Sequence, residues 1–349
     1  MADGKIGDRV KALVFDVFGT VVDWRSSVIR DGEKLTKELG VQVDWPTFAE
    51  EWRRKGYHEQ IAKIRSGEAP YETTDVFMRH KLDEMIPVGL NRREVIECNW
   101  KVVMDAFQEG YHIQGVHPEL IPAMDESKER YFFYGDHSVA TGPFGASNLV
   151  ELGPEALVDV IRNLTATFPA VAEALPRFEE LVDEMRGPDG VPQFTPERGG
   201  RELLQQATRE TWSNKGLDVS GLTDIQMADN HFHLVFPNLF MTIRAGEATM
   251  IMSAPLEDND PNKCTWHVMN LMWVPPEQRK AMREPLKEVG WGEHEPYFLA
   301  LEQDYDQMQR QQAGLRNTAL KEMALTRQEV RLAWFHSALD SWVYGRESK

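Results

Sequence analysis

Asp105, Glu109, His112 and His117 lie within one short stretch of this sequence and are its most chemically suggestive residues. On an unbroken helix, Asp105, Glu109 and His112 fall at relative angles of about 0°, 40° and −20°, so they share one face. An acid behind a histidine can accept the second ring N–H and so fix the tautomer that binds a metal. His117 follows His112 by five residues, which on a continuous helix rotates it about 140° away. Gly115 and Pro118 imply that the helix frays or ends here, because proline disfavours α geometry at the residue before it. Both imidazoles can then converge on one ion. Two neutral histidines and one carboxylate make the facial triad of non-haem Fe(II) oxygenases, with positions left open for O₂ and substrate. A lone H-x₄-H pair is common by chance, so this reading asks for a carboxylate elsewhere in the chain.

These residues sit in 349 residues, enough for two domains and a substantial core. The net charge of −17 provides no electrostatic footprint for nucleic acid or anionic lipid. No apolar run approaches the ~18 residues of a membrane span. The N-terminus lacks the apolar stretch of a secretory signal, so the expected location is cytoplasmic. Cys98 and Cys264 are the only cysteines, and two thiolates cannot complete an ordinary iron–sulfur ligand set.

Residues 10–15 read as a buried strand running into a turn at Gly19, and residues 26–86 read as helical. The stretch Ile86-Pro87-Val88-Gly89-Leu90 suits a junction, and residues 91–114 a long helix. Residues 130–150 and 223–275, rich in aromatic and β-branched types, read as antiparallel strands. Residues 154–186, 276–288, 297–313 and 326–344 read as helices, with a turn at Gly187-Pro188-Asp189-Gly190. Helices, then strands, then helices predict an α+β domain. His231 and His233, two apart on a predicted strand, point to one side; a metal site there competes with packing in the sheet or lining of a pocket. The methionines from Met241 to Met252, with Met269 and Met272, read as core packing.

Asn99-Trp100-Lys101, then Glu109-Gly110-Tyr111-His112 and His117-Pro118-Glu119-Leu120, resemble the iron-binding segment of Rieske-type aromatic-ring-hydroxylating oxygenase large (alpha) subunits. That family takes its third ligand from an aspartate far downstream, eight residues before a glutamine and ten before a glycine. Asp304, Gln312 and Gly314 match that spacing. Phe236-Pro237-Asn238-Leu239 and Trp334-Phe335-His336 are also similar to segments of the same domain. The resemblance covers about residues 88–349. It implies a helix-grip α+β domain, an antiparallel sheet around a long helix, with one mononuclear Fe(II) held by His112, His117 and Asp304. Glu109 falls where the family has an acid linking the iron to the cluster of a neighbouring subunit, and Asp105 where some relatives have asparagine. The implied reaction inserts O₂-derived oxygen into an apolar, aromatic substrate, as in aromatic hydrocarbon catabolism.

The family's [2Fe–2S] domain requires Cys-x-His and Cys-x-x-His motifs, and neither occurs here. The expectation is therefore no [2Fe–2S] cluster in this chain and an external Rieske protein or reductase as electron donor. Relatives assemble as homotrimers; loss of the cluster domain would remove half of those contacts. In its place, residues 9–86 resemble the start of haloacid dehalogenase-like hydrolases, through Phe15-Asp16-Val17-Phe18-Gly19-Thr20 and a helical cap-like segment. The expected division is thus 1–87, a strand-plus-helices fragment of that α/β type, and 88–349, the iron domain. Asp16 would be the nucleophile of such a hydrolase, but its later partner motifs are missing. A hydrolase using Asp16 and a non-catalytic iron- or ligand-binding relic are the alternatives to the oxygenase reading.

Overall fold

A computed structural model describes residues 29–30, 33, 43–51, 73–145, 147 and 150–344. The chain divides into two compact units, Val10–Glu84 and the remaining residues. In the smaller unit the described helices are α1 (Trp45–Glu51) and α2 (Thr73–Arg79). Asp44 starts α1 by accepting the Thr47 backbone N–H at 3.1 Å and its hydroxyl at 2.7 Å. The dehalogenase-like strand at 10–15 and the motif around Asp16 lie outside the described residues.

The larger unit is built on an eight-stranded sheet. Its strands are β1 (Met85–Ile96), β2 (Arg130–Tyr134), β3 (His137–Gly142), β4 (Asn230–Val235), β5 (Leu239–Arg244), β6 (Glu247–Pro255), β7 (Cys264–Trp273) and β8 (Lys287–Glu288), in the order β2-β3-β4-β5-β6-β7-β1-β8. Every adjacent pair is antiparallel except β1 with β8. The fold is α+β with an antiparallel-dominated sheet, and the expected strands at 130–150 and 223–275 are present over 130–142 and 230–273.

Besides a short turn of helix at Arg279–Met282, the helices of this unit are α3 (Trp100–Ala106), α4 (Ile113–Val116), α5 (Pro154–Leu164), α6 (Pro169–Asp183), α7 (Gly200–Lys215), α8 (Asp224–Ala228), α9 (Leu299–Leu315) and α10 (Val330–Tyr344). Alternation along the strands sends Leu234, Phe240, Ile251, Trp266 and Val268 to one face of the sheet. There they pack with Val102 and Val103 of α3, Leu301, Tyr305 and Met308 of α9, and Phe335 of α10. A second cluster joins α5, α6 and α7 through Ile161, Phe178, Leu181 and Leu203.

The expected helix over 91–114 is not formed. Residues 85–96 are strand β1, and the helical part is confined to α3 and α4. Pro87 and Gly89 do interrupt regular structure, but within a strand: the register with β7 shifts between Pro87 and Asn91, with Gly89 at φ +72°. Over 276–288 only Arg279–Met282 is helical, and Lys287–Glu288 forms the edge strand β8. Helix α7 has no counterpart among the expected elements, although Glu202 accepts the Gly199 N–H at 3.1 Å and Gly216 ends the helix at φ +96°.

Candidate metal centre

Helix α3 begins where the Asn99 side chain accepts the Lys101 N–H at 3.0 Å. The Asn99 N–H in turn donates to Gln312 Oε1 at 2.9 Å, which ties this helix start to α9. Helix α3 ends at Ala106, so Asp105, Glu109 and His112 do not share one helical face as the sequence suggested. Glu109 lies in the turn before α4. Its Oε2 accepts the His112 backbone N–H at 3.0 Å, and its Oε1 stands 2.8 Å from His112 Nδ1. Asp105 is turned elsewhere: both its oxygens meet His336 Nε2 of α10, at 2.9 and 3.1 Å.

His112 and His117 bracket the four residues of α4 as its N- and C-caps. His117, with φ −122° and ψ 62°, has left helical geometry, as Pro118 requires. The imidazole centroids are 5.2 Å apart. Asp304 enters from α9, where Leu301, Asp304, Tyr305 and Met308 all belong to the buried stripe. Asp304 is only 8% exposed, and its Oδ1 lies 2.9 Å from His117 Nε2 and 3.7 Å from His112 Nε2. One ligand atom from each of His112, His117 and Asp304 lies within 4.8 Å of the other two.

The outer ring nitrogens are occupied. His112 Nδ1 faces Glu109, and His117 Nδ1 stands 2.7 Å from Gln303 Oε1. A proton held at each Nδ1 would leave both Nε2 lone pairs toward Asp304, the tautomer a divalent cation needs. Burial pulls the His112 pKa down, but the bond to Glu109 and the charges of Glu109 and Asp304 outweigh it, and the net direction is up. Gln303 carries no motif in the sequence; its only signal is adjacency to Asp304.

The trio opens onto a cavity of about 130 Å³, walled in part by Phe107, Phe168, Phe232, Phe240 and Phe298. Glu129 and Arg331 reach the same cavity. Burial pushes the Glu129 carboxyl up to about 7, although Arg331 and the Tyr131 hydroxyl oppose it. Its carboxylate fits against Gly110 and Gly142: a Cβ on Gly110 would lie 2.5 Å from Glu129 Oε1, and one on Gly142 3.2 Å from Glu129 Cγ. Burial lowers the Arg331 guanidinium to about 10; it donates to Ser138 Oγ at 3.1 Å and to the Phe232 carbonyl at 3.0 Å. His231 and His233 are buried on the opposite face of β4 from Phe232 and do not line the cavity. Among the described residues, no helix is long and apolar enough to cross a membrane.

An antiparallel-dominated sheet carrying a buried His–His–Asp group beside an apolar cavity defines an α+β domain with a candidate metal centre. The chain belongs to the family described as the ring hydroxylating alpha subunit (catalytic domain), whose model matches residues 72–345. No curated protein matches the chain. Similar solved structures include a quaternary ammonium Rieske monooxygenase, CntA, bound to an inhibitor, at 11% identity over 78% of this chain and 54% of that one, with a TM-score of 0.43. Naphthalene 1,2-dioxygenase with indole in its active site shares 13% identity over 79% of this chain and 61% of that one, with a TM-score of 0.42. Dicamba monooxygenase bound to 3,6-dichlorosalicylic acid shares 10% over 77% and 63%, at 0.40. The chain thus spans 54% of the length of CntA and less than two thirds of the other two.

Proposed function

We propose that this chain is a non-haem Fe(II) oxygenase domain in which His112, His117 and Asp304 hold one iron and oxygen from O₂ is inserted into an apolar, aromatic substrate. The observation that carries the reading is the convergence of three ligand atoms within 4.8 Å at the wall of an aromatic-lined cavity. The donor set suits the ion: two neutral imidazoles and one carboxylate leave coordination positions free. Bound Fe(II) would supply a redox-active centre with room for O₂ beside the substrate.

The chain's own residues bind, orient and exclude water. Glu109 and Gln303 keep the proton on the Nδ1 atoms of His112 and His117, so that Nε2 faces the metal position. The phenylalanine walls take the ring of the substrate and keep bulk water from it. Asp105, through His336, fastens α3 to α10 and is a positioning residue in this reading. Electrons come from an external Rieske protein or reductase. Its docking point is near Glu109.

Iron content decides the matter. Anaerobically purified protein reconstituted with Fe(II) is expected to hold about one iron per chain, lost in His112→Ala and in Asp304→Ala, without iron–sulfur absorbance. Folded wild-type protein that takes up no iron would overturn the oxygenase reading in favour of a relic that binds apolar ligands only.

A further inference from the structure

We propose that the cavity recognises a neutral single-ring aromatic compound bearing a substituent that both donates and accepts a hydrogen bond, such as a phenolic hydroxyl or a carboxamide, and that Asn230 reads that substituent. The fate of the compound rests on the oxygenase reading above; its recognition does not.

Asn230 opens β4 opposite Gly142 of β3. Strand alternation places its side chain on the face of Phe232, and both residues line the cavity. Asn230 is 1% exposed, and its Oδ1 has no hydrogen-bond partner among the described residues. The nearest partner of Nδ2 is Met124 Sδ at 3.9 Å, a thioether and a weak acceptor. Leaving a buried carboxamide this poorly paired costs about 1–3 kcal/mol, and such groups in folded proteins call for a reason. A ligand that returns one acceptor and one donor to this amide supplies it. Thr242 and Thr249, cross-strand neighbours on β5 and β6, add hydroxyls to the same wall.

Charge narrows the class further. The carboxyl groups of Glu109, Glu129 and Asp304 line the cavity with His112, His117 and one guanidinium, Arg331. Three of its five N–H groups already donate, to Ser138 Oγ, the Gln108 carbonyl and the Phe232 carbonyl, and its charge is answered by Glu129. Arg331 is therefore a poor clamp for a further carboxylate, and an aromatic acid would bring its charge beside Glu109 and Asp304. The volume of about 130 Å³ fits one ring, since a cavity of about 150 Å³ accommodates benzene.

Equilibrium binding of benzamide, phenol, toluene and benzoate to the iron-free full chain, followed by ligand-observed NMR, tests the assignment. Benzamide and phenol are expected to bind about tenfold more tightly than toluene, the worth of one satisfied buried hydrogen bond, with benzoate weakest. The benzamide and phenol arms separate the two sources of the same chemistry. In Asn230→Leu the preference over toluene should collapse while toluene binding persists, which also reports a folded pocket; Asn230→Ala replaces it if leucine is not accommodated. Toluene binding as tightly as benzamide and phenol, benzoate binding best, or a preference unchanged in the variant would overturn the proposal. Because no iron is present, failure of the metal centre leaves this result standing, and failure here leaves the metal centre standing.

Discussion

Gln303 Oε1 stands 2.7 Å from His117 Nδ1, one residue before the aspartate that meets the same ring from its other nitrogen. Two consecutive residues of α9 therefore grip His117, one at each ring nitrogen. Gln303→Leu is expected to weaken Fe(II) affinity about 10- to 100-fold, the usual loss when a partner behind a metal-binding histidine is removed. Gln303→Glu, which keeps the acceptor, should retain most of it. Competition dialysis against a chelator measures both, and equal affinities for wild type and Gln303→Leu would refute the role.

Among the described glycines, Gly246 leaves the least room for a side chain. Gly246, in the turn between β5 and β6, has φ +82°, and a Cβ there would collide with the indole of Trp212. Trp212 is 1% exposed and has no room to retreat. Strained backbone and overpacking act together, so Gly246→Ala should cost about 3 kcal/mol or more. Urea unfolding gives the number; a loss below about 1 kcal/mol would mean that α7 shifts freely.

Glu129 sets a pH dependence in iron-free protein. Its folded pKa is raised from 4.5 to about 7, so between those values the folded state binds more protons than the unfolded state. Stability therefore falls as pH rises through that window, and the cost is fully present above about 7. Glu129 is half-buried, which limits the effect to at most about 3 kcal/mol. Glu129→Gln should remove this slope, and parallel pH profiles of wild type and variant would rule out the assignment.

Cys98 and Cys264 are both fully buried. Their contact with each other, and then burial, push the Cys264 thiol well up. Neither should react with an aromatic disulfide reagent in native protein, and both should react once the chain is unfolded. Rapid native labelling of either would show that the end of β7 opens readily.

The His112–His117 geometry was legible in the sequence because it is local: Pro118 ends the helix at His117, and the structure confines α4 to four residues between the rings, with Gly115 inside it. The long-range partner Asp304 was legible only through its spacing to Gln312, and the structure gives that glutamine a task, accepting the Asn99 N–H. Nothing within 4 Å of Gly314 explains the glycine. Strand β1 was misread because its inward positions carry charge. Arg92 and Glu94 are 6% and 4% exposed, yet they read as surface residues in a helix. They are accommodated by tertiary partners: the Arg92 guanidinium lies 3.6 Å over the Tyr297 ring, and Glu94 pairs with His294 and the Tyr297 hydroxyl. The helical face expected to join Asp105 to Glu109 and His112 is missing for a simpler reason, since α3 stops one residue after Asp105.

His117 and Asp304 are 187 positions apart, and strands β2 to β8 lie between them. A cation gripping both acts as a clasp across a very long loop. During synthesis the histidine pair leaves the ribosome well before its aspartate, so an early-captured ion has only two protein ligands and dissociates easily. If the site takes iron as proposed, retention would begin when α9 docks, and free iron would then favour the completed fold by mass action. Iron starvation would thus be felt first as slower, leakier maturation of the chain.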